Sequence, residues 1–402
     1  MPYSRLVRGA ILTTCCYSMM AVSFANACHP FLMPDIADAL KMGNATKGLF
    51  LSCAFWGMGV ALLVAGPLAD RTGFRPVFAG AAVLQALGLL MVGHAQSPAF
   101  AIAGACVAGI GTGAALNLAM PLVCLLFPRA RAAVCNFLQS FCSVGAVVVI
   151  ALGLILFGMQ WDWRGIYRLV AVLVLGYGVA FLFLPLPRST AQDVKRTPVR
   201  QLLRSTPFLL MLAGMAVVSF TTAGVSQWLP VYVEKMVQGP RSIGIRGAGL
   251  MLFSAAGALG NWLTAALVQR FGARRLVLLG GLLAFVSLLV AVRTTHPIMA
   301  ICFFALLMLG MVGMGPILLA NGADRFPGGG ATMYSLLFTM GNAGCVASPL
   351  AIGLLAELWN LRAAFATMAA GPVVSVLILL ALQTRHGASA VSHVGTGGGS
   401  TR

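Results

Sequence analysis

The chain has 402 residues, 60% of them hydrophobic and only 8% charged. A soluble domain carries about a quarter charged residues, so this chain has too few to cover a water-facing surface. The net charge is +18, but the basic residues stand in short segments between apolar runs. That spread argues against a nucleic-acid-binding patch and for a topology signal.

A spanning helix needs about 20 apolar residues. Twelve such runs can be drawn in chain order: 9–33, 48–68, 76–93, 100–126, 133–157, 166–184, 208–233, 247–268, 276–292, 298–320, 333–356 and 363–382. Arg5 and Arg8 precede the first run, which is too long for a cleavable signal and is expected to remain as a helix. The longest loop separates the sixth run from the seventh and holds Arg188, Lys195, Arg196, Arg200 and Arg204. The expected fold class is an all-α membrane protein of twelve transmembrane helices in two pseudo-symmetric six-helix bundles. The expected domains are an N-terminal bundle over 1–187, a central loop over 188–206, a C-terminal bundle over 207–385 and a disordered Gly/Ser-rich tail over 386–402.

Charge sets the orientation. With both termini on one side, that side collects Arg5, Arg8, Arg71, Arg75, Arg129, Arg131, the five loop bases, Arg270, Arg274, Arg275, Arg325, Arg385 and Arg402. The other side holds the remaining nine of the 26 bases and five of the eight acids. Both ends are therefore expected in the cytoplasm, in a multi-pass protein of a bacterial inner membrane.

The halves repeat. Leu68-Ala69-Asp70-Arg71-Thr72-Gly73-Phe74-Arg75 follows the second run. An offset of 199 residues maps it onto Leu267-Val268-Gln269-Arg270-Phe271-Gly272-Ala273-Arg274 after the eighth. The same offset maps Phe127-Pro128 onto Phe326-Pro327 and Asp35 onto Glu234, and an offset of 198 maps Trp163-Arg164 onto Leu361-Arg362.

The segment Gly66-Pro67-Leu68-Ala69-Asp70-Arg71-Thr72-Gly73-Phe74-Arg75 resembles the loop 2–3 signature of the major facilitator superfamily. The resemblance implies transport by alternating access, two bundles rocking about a midplane site. It also implies a latch between the halves at Asp70, Arg71, Gly73, Arg75 and Arg270, with plain topology anchoring as the alternative. Gln269 stands where the first copy has Asp70, so the second latch is expected to be weaker. The drug/proton antiporters of the superfamily carry a Gly-Pro motif on helix five that Ser143-Val144-Gly145-Ala146-Val147-Val148-Val149 lacks. Their helix-four arginine is Ala105 here. The stretches Gly224-Val225-Ser226-Gln227-Trp228-Leu229-Pro230-Val231-Tyr232 and Ala133-Val134-Cys135-Asn136-Phe137-Leu138-Gln139-Ser140 look like the fucose–galactose–glucose symporter branch.

Polar groups within a bundle usually face its interior. Asn136, Gln139, Ser140 and Ser143 share an arc of roughly 100° on the fifth run. Their repeat partners are Ser335, Phe338, Thr339 and Asn342. Asn26, His29, Asn117, Gln227 and Trp228 complete the expected substrate contacts, and Asn261 and Trp262 are further candidates. For each of them helix packing is the plain alternative. All acids lie in loops or at helix ends, and no arginine or lysine is placed at the midplane. Amides, hydroxyls and indoles without charge suit a small neutral, sugar-like solute, moved by secondary active or facilitative transport. Efflux of drugs or metabolites is the alternative.

His29, Asp35 and Glu234 are the candidates for coupling a co-transported proton. The ten cysteines fall in apolar runs without a CxxC partner, so neither a metal nor a cofactor is expected. HExxH, GxSxG and paired midplane acids are all missing from the sequence, which argues against an enzyme. The expected partners are the solute, a proton and the lipid bilayer, with no nucleic acid and no second copy required.

Overall fold

Backbone polar groups in a bilayer must be satisfied within their own segment, which an α-helix does. The computed structural model describes residues 4–127, 131–186, 199–237, 241–326 and 330–394, and all regular structure among them is helical. The first half comprises α1 (Arg5–Leu40), α2 (Asn44–Thr72), α3 (Phe74–Gly93), α4 (Pro98–Leu126), α5 (Arg131–Gly158) and α6 (Trp163–Phe183). A short α7 (Val199–Leu203) precedes the second half. There follow α8 (Thr206–Met236), α9 (Arg241–Phe271), α10 (Ala273–Arg293), α11 (Pro297–Met311), α12 (Met314–Arg325), α13 (Gly330–Leu358), α14 (Leu361–Thr367) and α15 (Ala370–Val394). Twelve spans are long and apolar enough to cross a membrane; α11 with α12 makes the tenth, and α14 with α15 the twelfth.

Local chemistry sets the helix ends. Ser97 caps α4 just before Pro98, which needs no amide partner in the first turn. The repeat is visible in the turns. Gly73 sits at φ 89°, ψ 164° and Gly272 at φ 79°, ψ 150°, a region open essentially to glycine alone. Phe127 and Phe326 end their helices at φ −125°, ψ 63° and φ −127°, ψ 64°. Asp162 and Asn360, related by 198 residues, each accept a backbone N–H three residues on, both at 2.8 Å.

The helices overrun the apolar runs, because a hydropathy window stops at a charge and a helix does not. α1 continues to Leu40 and takes in Asp35 and Asp38. α9 starts at Arg241 and so takes in Arg246, which the expected run at 247 left outside. The last helix reaches Val394, so 386–394 is helical where a disordered tail was expected.

Within the first half, α4 packs on α2 and α3, α3 on α6, and α1 on α4, α5 and α6. In the second, α8 packs on α13, α9 and α15, and α10 on α11 and α15. The halves meet along two seams, α2 with α13 and α9 with α5, and α1 also touches α8. The 199-residue offset exchanges the two seams, so one interface is used twice. The face carrying the α2–α3 and α9–α10 turns is termed the basic face, and the face with Lys41 and Asn360 the far face.

Candidate functional site

Between the two halves, backbones approach most closely toward the far face. A Cβ on Gly48 would lie 2.5 Å from Pro349 O, and one on Gly353 would lie 2.6 Å from Asn44 O. Only glycine lets α2 and α13 touch there. Hydrogen bonds continue down the seam: Ser52 Oγ donates to Val346 O at 2.8 Å and Asn342 Nδ2 to Phe55 O at 3.2 Å. At its top, α2 starts at Gly43 with no side-chain cap of its own. Glu357 of the other half accepts the Ala45 N–H at 2.7 Å and supplies the missing carboxylate. Trp228 is fully buried and donates from Nε1 to Pro349 O at 3.0 Å, bracing α13 against α8.

The second seam carries the charge. Arg246 on α9 is 1% exposed, donates from Nη1 to Glu234 Oε2 at 3.1 Å and pairs through Nη2 with Asp35 Oδ2. Ser242 Oγ donates to Glu234 Oε1 at 3.0 Å. The guanidinium stands 5.6 Å over the Phe31 ring of α1. Sequence reasoning left Arg246 outside the eighth apolar run and gave it no role. The available signal was its equivalence to Lys47 by the 199-residue offset.

Toward the basic face several polar side chains near the seams are exposed. On α5, Phe137, Val144, Val148 and Ile155 are exposed and share one side of the helix, the lipid side. Gln139 is also exposed, yet at about 100° per residue it lies roughly opposite that row. On α13, Ser335 lies on the side that carries Asn342, Pro349 and Gly353, yet it is exposed, as are neighbouring Phe338 and Thr339. Asn261 on α9 is exposed opposite the row Leu252, Leu259 and Trp262. Exposed polar groups turned away from these apolar rows thus stand on helices of both halves, toward the basic face.

The sequence candidates therefore divide. Gln139 is exposed, and Ser143 is half-buried one turn on. The Asn136 side chain lies outside the described residues. Asn117 is half-buried and donates to Leu62 O at 3.1 Å. Asn342, Trp228 and Gln227 belong to the closed layer, the latter two buried. Asn26 is half-buried. His29 is buried, with Nδ1 2.8 Å from the Tyr167 hydroxyl, the Phe50 ring edge-on at 5.3 Å and Nε2 without a hydrogen-bond partner. Asp70, Arg71 and Arg270 are exposed at the basic face, and Arg75 donates to Leu184 O at 2.7 Å, tying α3 to the end of α6 within one half. The nine cysteines whose side chains are described form no disulfide, and no cluster among the described residues has the ligands for a metal.

An apolar cavity of about 380 Å³ lies elsewhere, between α8, α13 and the α14–α15 break, lined by Phe220, Ala347 and Met368 among others. It lacks the polar groups a hydrophilic solute needs.

Twelve membrane-length helices among the described residues, in two equivalent sets that meet across paired seams, have the architecture of a membrane transporter. A profile described as Major Facilitator Superfamily matches residues 15–329 and 239–398, and the chain belongs to that superfamily. The gentisate transporter of Corynebacterium glutamicum is 24% identical over 375 residues, covering 87% of this chain and 82% of its own length. Multidrug resistance protein MdtL of Escherichia coli O81 is 29% identical over 155 residues, 38% of each chain. Among solved structures, a variant of the nucleoside transporter NupG superposes with TM-score 0.79 at 12% identity, covering 93% of this chain and 99% of that one. A variant of the E. coli fucose:proton symporter FucP gives 0.64 at 16% identity, covering 92% and 98%. These structural likenesses concern the fold.

Proposed function

We propose that this transporter moves a small polar, uncharged, sugar-like solute by alternating access. In this reading the basic face is cytoplasmic and the structure is the state open to the cytoplasm. The observation that carries it is the exposure of Gln139, Asn261, Ser335 and Thr339, amide and hydroxyl groups from both halves, which in this reading line the solute cavity. Such groups replace the hydrogen bonds of a neutral hydroxylated solute without the desolvation cost of a charge. Asn117 and Ser143 extend the polar surface in the first half. Asn26, His29, Gln227, Trp228 and Asn342 reach the solute when the far face opens, and Asp70, Arg71, Gly73, Arg75 and Arg270 latch the basic face when it shuts. The two halves close one interface twice, so the chain works as a monomer in the bacterial inner membrane.

Of the groups able to carry a coupled proton, His29 is the one whose second nitrogen has no partner among the described residues. Full pH-gradient-driven accumulation by His29→Gln would move the coupling elsewhere. The solute class is tested by thermal stabilisation, since a ligand of the folded state raises its melting temperature. Hexoses, pentoses and polyols are expected to stabilise the protein, and Gln139→Ala to abolish the effect. Stabilisation by carboxylates alone would reject the reading.

A second reading has its own observation. Arg246 is a buried guanidinium whose Nε has no hydrogen-bond partner, and the gentisate transporter aligns along most of the chain. An aromatic carboxylate would then be the solute. The same panel separates the two, with a benzoate-type acid in place of the sugar.

A further inference from the structure

Two charge pairs on the far face follow the internal repeat: Asp35 with Glu234, and Lys47 with Arg246. Equivalence does not give them equal duties. Glu234, Ser242 and Arg246 all belong to the second half, on α8 and α9. Asp35 belongs to the first half, on α1, and so does the Phe31 ring beneath the guanidinium. Lys47 stands instead within electrostatic reach of Asp38, Glu357 and Lys235. When two rigid halves rock apart at the far face, contacts inside a half persist and contacts across it break.

We propose that Arg246 is the releasable clasp of the far face, holding Asp35 across the halves while that face is shut and staying with Glu234 when it opens. Two carboxylates for one guanidinium are what such a device needs. Removing the single partner of a buried charge leaves the charge stranded at high cost. Here Glu234, fixed by Ser242, travels with Arg246, so release of Asp35 never leaves the cation alone. Asp35 and Glu234 are each partly exposed, at 24% and 31%, while Arg246 is 1% exposed. The clasp therefore sits just inside the sealed rim, where parting of the halves admits water to both carboxylates.

The inference rests on alternating access and is independent of the solute. Hydrogen–deuterium exchange of the full-length protein, without ligand, tests it. Asp35→Asn should raise exchange several-fold in the far-face segments 31–52 and 346–358. It should lower exchange in the basic-face segments 137–143 and 333–343. Glu234→Gln keeps the Asp35 bridge and should stay near wild type, and Asp35→Glu should restore the wild-type pattern. Arg246→Lys, which keeps the charge and loses the fork, should shift exchange as Asp35→Asn does but less, and it serves if Asp35→Asn does not fold. Identical exchange in Asp35→Asn and wild type would overturn the clasp. So would equal shifts from Glu234→Gln and Asp35→Asn, which would mark a generic ion cluster. Far-face deprotection with no gain on the basic face would overturn the rocking itself, an outcome distinct from the other two.

Discussion

Gly48→Ala perturbs the contact on which far-face closure depends. The added Cβ would sit 2.5 Å from Pro349 O and 3.2 Å from the Cα atoms of Gly353 and Leu350, all backbone atoms that cannot rotate away. Restoring ordinary contact requires α2 and α13 to part by roughly 1 Å, and overpacking of this kind costs about 1–3 kcal/mol. The parting also stretches the Ser52–Val346 bond of 2.8 Å and the Ala45–Glu357 bond of 2.7 Å, which cross the halves. Each is worth about 1 kcal/mol net. Alanine's higher helix propensity applies in both conformations and cancels. The far-closed state should therefore lose about 3 kcal/mol relative to the far-open one, roughly a hundredfold in their ratio. Spin labels replacing exposed Lys41 and Trp359 report the far face, and labels replacing exposed Gln139 and Ser335 report the basic face, with the native cysteines replaced. Gly48→Ala should lengthen the first distance and shorten the second. Gly80→Ala, with nothing within 4 Å of its new Cβ, should change neither. Unchanged distances in Gly48→Ala would refute the steric argument for closure at this seam.

Other perturbations separate local stability from gating. Tyr167→Phe should lower stability by about 1–2 kcal/mol in thermal melts, because His29 would keep no partner on either nitrogen. A His29→Phe, Tyr167→Phe double variant should recover most of that loss. Glu357→Ala removes the carboxylate at the start of α2 and should weaken far-face closure by about 0.5–2 kcal/mol, read as faster amide exchange over Asn44–Leu51. Gly73→Ala and Gly272→Ala should each cost about 1–3 kcal/mol in melting experiments, since both turns use a backbone region closed to side chains. Unequal losses would show that the two turns are not structurally equivalent.

The twelve spans and the repeat were legible because both rest on long-range pattern. Apolar length gives spans, and the 199-residue offset gives the equivalence that Phe127 and Phe326 express in nearly identical backbone angles. The turn glycines were legible too, for only glycine tolerates those angles. What sequence could not reveal is which polar group faces which state. Gln139 and Asn342 carry similar amides on equivalent helices. One is exposed, while the other is tied to Phe55 O across the seam between the halves. Trp228, an expected substrate contact, is held in this state by its bond to Pro349 O of its own half, a partner no local pattern encodes. Arg246 was hidden by its own charge, which held the start of the apolar window to 247 although the helix begins at Arg241. Its burial depends on Asp35, 211 residues away, a pairing no local pattern encodes.

The claim that matters most is transport of a small uncharged polar solute through the cavity between the halves. Counterflow in proteoliposomes tests it directly. Vesicles loaded with an unlabelled hexose, pentose or polyol are diluted into the labelled compound, and exchange is followed with and without Gln139→Ala. The account predicts transient accumulation with at least one neutral hydroxylated solute and its loss in the variant. Accumulation with a benzoate-type acid and none of the neutral compounds would contradict it.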